Sequence, residues 1–387
     1  MKFKFSNLIK GEKELWVAYL FLTLISIVEV YSAASTLSYK SGDYTAPLIE
    51  HLGHILLGAG CLWFTTLMPT KYLKLVPGTL LPISWILLIV VLIFTHSVNG
   101  ASRMLLVTEM AKISTVVAVA RILSSTQLEH NTHPKAMKWI LIVTAITCVL
   151  IVLENLSSAA LVAITVFLMM IAGRVPFTQI FKLLAVCILA LGTAVLVCWK
   201  MPDSVMETLD EFPLTHRVST WVARVKGFLE EKDEGTYDIY GKDSQRIYAD
   251  LAIQEGGVLG KGPGNSRYRD FLPQAYSDFI YAIIIEETGI LGGGFVFLMF
   301  VVIFIRSIRI ALRAPTMFGT FLVTGLSVLL LIQALVNMAV AVGAMPITGQ
   351  PLPFVSRGGW SIVSSCTCLG IIIGVSRNRM PQMDTKQ

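Results

Sequence analysis

Charge is scarce in this sequence: Asp, Glu, Lys and Arg make up 14% of 387 residues, against 55% hydrophobic residues. A soluble domain of that length needs far more charge to cover its surface, so water is not the main solvent of this chain. The basic residues behind the net charge of +6 are spread over short stretches between apolar runs, and no basic face forms, which excludes a nucleic-acid partner. Cysteine is sparse as well. Cys61, Cys148, Cys187, Cys198, Cys366 and Cys368 all lie inside or at the ends of apolar stretches, so they read as small core residues and not as disulfides or metal ligands. There is no Walker loop, no strand-to-helix dinucleotide fingerprint, no calcium-loop spacing around Glu230, Glu231, Asp233 and Glu234, and no internal repeat of the kind that builds inverted-repeat transporters.

What is abundant is long apolar runs. Mean hydropathy is +0.70, and stretches long enough to cross about 30 Å of hydrocarbon as helices recur along nearly the whole chain. They predict an all-α polytopic membrane protein with about ten transmembrane helices, near 14–36, 51–68, 77–98, 109–126, 136–153, 156–173, 180–199, 278–312, 316–343 and 359–376. The chain reads as one membrane domain over 1–387. Lys2, Lys4, Lys10 and Lys13 precede a first run too long for a cleaved signal, so that helix is retained and the N-terminus is cytoplasmic. An even span count puts both termini there, together with Lys71, Lys74, Lys135, Lys138, Arg174, Lys182, Arg306, Arg309, Arg313, Arg377 and Arg379.

One long loop, 200–276, breaks the pattern between the seventh and eighth spans and is expected outside as an ordered cap. Trp221, Val225 and Phe228, then Ile247, Leu251 and Ile253, are spaced as amphipathic segments lying on the membrane face. Its end carries Gly256-Gly257-Val258-Leu259-Gly260-Lys261-Gly262-Pro263-Gly264-Asn265-Ser266. Glycines at this density let backbone amides approach an anion beside Lys261, although a bare glycine-rich turn is the commoner meaning. Asp278 then opens an apolar helix, as a cap or as a functional carboxylate. Glu286 and Glu287, followed by Gly289 and Gly292-Gly293-Gly294, predict a helix broken where acids face a polar cavity, with its outer half belonging to the cap.

Two further clusters face the same way. Residues 343–359 hold three prolines and four glycines, which excludes a regular helix, and Ser356 with Arg357 offers donors to a pyrophosphate or a sugar. Asn99-Gly100-Ala101-Ser102-Arg103 precedes Glu109 and Lys112, whose three-residue spacing also fits a simple ion pair.

The segments G-G-V-L-G-K-G-P-G-N-S at 256–266, L-P…S-D-F-I-Y-A-I-I-I-E-E-T-G at 272–289 and M-P-I-T-G-Q-P-L-P-F-V-S-R-G-G at 345–359, in this order and topology, resemble the SEDS family (shape, elongation, division and sporulation) along almost the whole chain. The resemblance implies ten membrane helices, a large extracytoplasmic loop before the eighth, and peptidoglycan glycosyltransferase activity in the bacterial inner membrane. The substrate it implies is lipid II, the undecaprenyl-pyrophosphate disaccharide pentapeptide. It assigns the essential carboxylate to Asp278, the first acid of its E-E-x-G to Glu286, and its S-E-x-x-K pair to Glu109 and Lys112. It matches Arg103 to the arginine of G-A-x-R-W, with Met104 where Trp is usual, in a shortened segment. Asn155 stands in place of an acid, and Arg357 in place of a common Tyr.

On this reading Asp278 acts as general base, one carboxylate sufficing because pyrophosphate leaves without an acid, and a single step inverts the anomeric centre. Lys112, Lys261, Arg103 and Arg357 are the candidate cations for the leaving group, with Glu109, Asn265, Glu286 and Ser356 as further substrate contacts. A divalent cation, Mg or Mn, is left open as a helper. The implied partners are a class B penicillin-binding transpeptidase, other division proteins and membrane lipids, and the S-R-G-G variant leans toward a septal, division-type member. An elongation-type polymerase, a flippase moving lipid II without bond chemistry, and a docking scaffold are the alternatives.

Overall fold

The computed structural model describes residues 11–33, 45–94, 101–129, 131–152, 155–185, 193, 244–272 and 275–377, without the side chains of 94 and 101–104. The last part of the expected seventh span, most of the long loop (200–243, with Trp221, Val225 and Phe228), the acidic run, Cys187, Cys198 and both termini lie outside the described residues.

The architecture is all-helical: α1 (Lys13–Ala33), α2 (Ala46–Leu67), α3 (Thr70–Leu73), α4 (Val76–Phe94), α5 (Ala101–Ser125), α6 (Lys135–Val152), α7 (Leu156–Ala172), α8 (Ser244–Gly256), α9 (Ile280–Leu312), α10 (Met317–Ala341) and α11 (Trp360–Arg377). Among the described residues, seven of these (α1, α2, α4, α6, α9, α10 and α11) are long and apolar enough to cross a membrane, so this is a multi-pass membrane protein. α7 is apolar but shorter. α5 is long, yet it carries Arg103, Glu109 and Lys112 within the helix. It begins at Ala101 and not near 109, because an apolar-run criterion stops at the first buried charge while the backbone ladder does not.

Local chemistry sets the ends. The side chain of Asn155 accepts from the Ser158 N–H at 3.1 Å and caps α7, a role its amide fills without the acid that the family pattern places there. Thr316 caps α10 the same way, through Gly319 N–H at 3.1 Å. α10 and α11 form the centre, with 67% and 83% of their spans buried, whereas α4 at 17% is peripheral. α11 packs along α2, and α10 touches α5, α7, α9 and α11.

Two ends of the bundle differ in chemistry. At one, Arg306 near the end of α9 pairs with Glu14 at the start of α1 (3.2 Å), Gly11 abuts Ile373 and Ser376 at the end of α11, and Arg121 donates to the Lys74 carbonyl (2.7 Å). The opposite end gathers the end of α1, the starts of α2, α7, α9 and α11, and the end of α10, and it holds the polar clusters. α8 docks there on α9 through Ala249, Ala252 and Gly256, a small-residue stripe. Ile247, Leu251 and Ile253, expected to lie on the membrane face, are partly buried, and the contact with α9 falls to the small residues, which allow the closer backbone approach.

Candidate active site

Asp278 lies one residue before Phe279, the N-cap of α9, and is partly exposed. Ser277 donates to its carboxylate at 3.1 Å. The 343–359 segment wraps around it: Ser356 Oγ donates to the Ser277 carbonyl (2.6 Å), Arg357 N–H to the Tyr276 carbonyl (2.9 Å), and the Arg357 guanidinium lies over the Tyr276 ring, 5.5 Å from its centroid. A side chain at Gly349 (φ 65°) would place its first carbon 3.7 Å from Asp278 Oδ2. The two clusters expected from the sequence are thus one site. Ser356 is buried and spends its proton inside the protein, while Arg357 also reaches Glu50 of α2 at 2.5 Å.

The loop is irregular backbone among membrane helices, tolerable only where its polar groups find partners. Asn337 of α10 donates to the carbonyls of Asp278 (3.0 Å) and Gln350 (2.8 Å), and Gln333, one turn earlier, to that of Pro351 (3.2 Å). Gln350 Nε2 reaches Ser158 on α7 at 2.9 Å. On the far side Ser26 of α1 donates to the Val355 carbonyl (2.6 Å) and sits 2.8 Å from His51 of α2. Phe354 adopts a left-handed conformation (φ 63°) with its ring buried, edge-on to Tyr19 at 5.8 Å and stacked on Phe300 at 6.4 Å. Sequence reasoning passed over Gln333, Asn337, Gln350, Ser158, Ser26 and His51; the available signal was two amides four residues apart in an otherwise apolar span.

The glycine-rich segment forms a clasp on the broken helix. α9 departs from helical geometry at Gly289 (φ 75°, ψ −179°), as expected, but Gly292-Gly293-Gly294 stay helical. At that break the Lys261 and Gly262 N–H groups donate to the carbonyls of Glu286 (3.0 Å) and Glu287 (2.8 Å), and the Ile290 N–H to that of Gly257 (2.9 Å). The Val258 carbonyl stands where a Gly289 side chain would be, and the Glu287 carbonyl where one on Gly260 (φ 76°) would be, so only glycine admits this approach. The carboxylates are satisfied too. Glu286 accepts from Ser266 Oγ (2.5 Å), Arg267 N–H (2.8 Å) and Lys261 Nζ (3.0 Å); Glu287 accepts from Gly264 N–H (2.9 Å), Ser266 N–H (3.3 Å) and Ser32 Oγ. Both are fully buried, so they face a donor-lined clasp where an open polar cavity was expected.

Lys261 therefore has two carboxylate partners, Glu286 and Glu255. Exposed Glu255 is held below the usual carboxylate range by the hydrogen bond from Lys261 and then by that from Tyr268. Desolvation alone would lower the Lys261 ammonium, but its bonds to Glu255 and Glu286 outweigh that and raise it. Asn265 closes the turn by donating to the Lys261 carbonyl at 3.0 Å.

Lys112 is wholly buried and donates to Glu109 at 2.6 Å, and Ser364 of α11 supplies the other carboxylate oxygen with a donor at 2.6 Å. The three-residue spacing makes an ion pair, as one of its two readings held. The side chain of Arg103 lies outside the described residues. Among the described residues no three of His, Cys, Asp and Glu come together as a ligand set, so they do not fit a protein-built divalent cation site.

Comparison with known proteins converges on one family. A probable peptidoglycan glycosyltransferase FtsW of Trichlorobacter lovleyi is 31% identical over 368 residues, covering 92% of this chain and 90% of its own. The corresponding protein of Coxiella burnetii is 26% identical over 379 residues, covering 93% and 95%. Stage V sporulation protein E of Bacillus subtilis is 41% identical over 141 residues, 36% of this chain and 38% of its own. Among solved structures, a chain from a study of polymerization and crosslinking by a peptidoglycan synthase complex superposes with TM-score 0.71 at 21% identity (96% and 99% covered), and Thermus thermophilus rod shape determining protein RodA with 0.64 at 18% (97% and 99%), which establishes a shared fold. The profile of the cell cycle protein family named for FtsW, RodA and SpoVE matches residues 12–380, and the chain belongs to that family, the SEDS proteins.

Proposed function

We propose that this protein is a peptidoglycan glycosyltransferase that polymerises lipid II into glycan strands, of the division type. The relatives it matches along nearly their whole length carry that activity in their names. The observation that carries the residue-level reading is the partly exposed Asp278 carboxylate, pinned between α9 and the 343–359 loop, whose Arg357 lies over Tyr276, two residues before Asp278. Asp278 takes the proton of the acceptor sugar hydroxyl as that oxygen attacks the anomeric carbon of the donor, and undecaprenyl pyrophosphate leaves from the opposite face, inverting the centre. Of the candidate cations, Arg357 is the one tied to the residues next to Asp278, and its carboxylate partner Glu50 is exposed, whereas Lys112 and Lys261 are engaged with the buried carboxylates of Glu109 and Glu286.

The active end of the bundle faces outward, the Arg306–Glu14 end and both termini face the cytoplasm, and a class B penicillin-binding transpeptidase docks from outside. The cytoplasmic membrane at the septum is the site of action. A flippase needs polar groups along an open path. Lys112, Glu286 and Glu287 are sealed and internally paired, which disfavours that reading.

The test is Asp278→Asn in purified protein supplied with fluorescent lipid II and the transpeptidase. Glycan chains are expected from the wild type and none from the variant, at equal expression and monodispersity. Polymer formation by the variant at the wild-type rate would refute the assignment.

A further inference from the structure

Asn337 is fully buried in an apolar helix, where a side-chain amide is costly to desolvate unless its groups are used. Both neighbours of its nitrogen are main-chain carbonyls, those of Asp278 and Gln350, so the orientation of the amide is fixed: the NH2 end faces the two carbonyls and each proton serves one of them. The two residues it joins belong to different segments, one opening α9 and the other in the proline-rich loop. Next to Gln350 is Gly349, where an added side chain would place its first carbon 3.7 Å from the Asp278 carboxylate. Asn337 thereby sets the spacing between the carboxylate and the loop wall facing it. Its Oδ1 is buried without a partner, and Thr348 Oγ1, two residues before Gln350, is in the same state.

We infer that Asn337 is a positioning residue of the transfer reaction: it holds the residue-278 backbone against the 349–350 turn, so that the Asp278 carboxylate meets the acceptor hydroxyl in a reactive geometry. The inference rests on the polymerase reading above. Asn337 touches no reacting atom and acts through Asp278, so its loss changes the rate of the chemical step and leaves lipid II binding alone. A misplacement of about 1 Å costs on the order of a hundredfold in rate.

The experiment compares wild type, Asn337→Leu, Asn337→Asp and Asp278→Asn in lipid nanodiscs with fluorescent lipid II, measuring kcat, KM and thermal melting. Asn337→Leu keeps the branched outline and the number of side-chain heavy atoms and removes both N–H donors. It is expected to lower kcat about a hundredfold with KM within about twofold, in protein that melts cooperatively at a lowered temperature because two carbonyls lose their donor. Asn337→Asp retains a donor only while protonated, so its rate relative to wild type is expected to fall as pH rises, a signature that a purely structural role does not produce. A kcat for Asn337→Leu within about threefold of wild type, a loss confined to KM, or failure of both Asn337 variants to fold would each overturn the inference. Asp278→Asn separates the two levels. If it polymerises normally, the active-site reading fails and the inference with it; if it is inactive while Asn337→Leu is unimpaired, only the role of Asn337 falls.

Discussion

The clasp on the broken helix lends itself to a paired substitution. Gly257 and Gly260 both have positive φ, 55° and 76°, so alanine at either carries a similar backbone penalty of about 1–2 kcal/mol. They differ in surroundings. Nothing stands within 4 Å of a side chain at 257, whereas at 260 the new carbon meets the Glu287 carbonyl and the Gly289 nitrogen. Gly260→Ala must therefore push the segment off α9 and break the bonds from Lys261 N–H to Glu286 and from Gly262 N–H to Glu287. Two buried hydrogen bonds at about 1 kcal/mol each make Gly260→Ala worse than Gly257→Ala by about 2 kcal/mol, roughly thirtyfold in the local opening equilibrium. Amide hydrogen exchange across 256–267 in nanodiscs reads that ratio directly. Equal loss of protection in the two variants would show that the clasp is not held by this close approach.

Other expectations follow from the same geometry. Lys112→Met leaves Glu109 as a lone buried charge and should destabilise by about 3–5 kcal/mol, while Lys112→Met with Glu109→Met should recover most of that; melting of single and double variants checks it. Clasp protection should be flat between the ordinary carboxylate and lysine values, 4.5 and 10.5. Glu255, with its depressed value, contributes above 4.5 and loses that contribution as pH falls through the folded value; Lys261, with its raised value, contributes below 10.5 and loses it as pH rises further. Exchange or limited proteolysis against pH would show the plateau. Glu50→Gln frees Arg357 from its surface partner and should change stability by less than about 1 kcal/mol, while shifting the salt dependence of KM for lipid II; an unchanged salt dependence would remove Arg357 from the pyrophosphate site.

The sequence was legible where one local rule decides. Apolar runs located most of the described membrane helices to within a few residues, since a span must be long and uncharged; α5 escaped because its buried ion pair breaks that rule. Gly289 after two acids announced the break in α9. What those acids face was not legible, because a glycine-dense segment serves equally as an anion cradle or as a backbone dock, and only the proximity of α9 decides. The Arg357–Glu50 contact joins residues more than three hundred apart in sequence, beyond any spacing argument. Asn337 and Gln333 carried a readable signal, polarity on one face of a membrane helix, but nothing local says which carbonyls need them.

Phe354 has a consequence for how the molecule responds to mechanical change. A phenylalanine with φ of 63° sits uphill by about 1–2 kcal/mol, and the conformation persists because its ring is wedged between Tyr19 and Phe300. Those rings belong to α1 and α9, so the turn works as a feeler gauge inserted between two membrane helices. Spreading them would let residue 354 relax to ordinary backbone and draw the Ser356 hydroxyl, two residues on, away from the chain beside Asp278. Lateral pressure in the bilayer, or a second protein leaning on either helix, would thereby be transmitted to the Asp278 carboxylate without touching it.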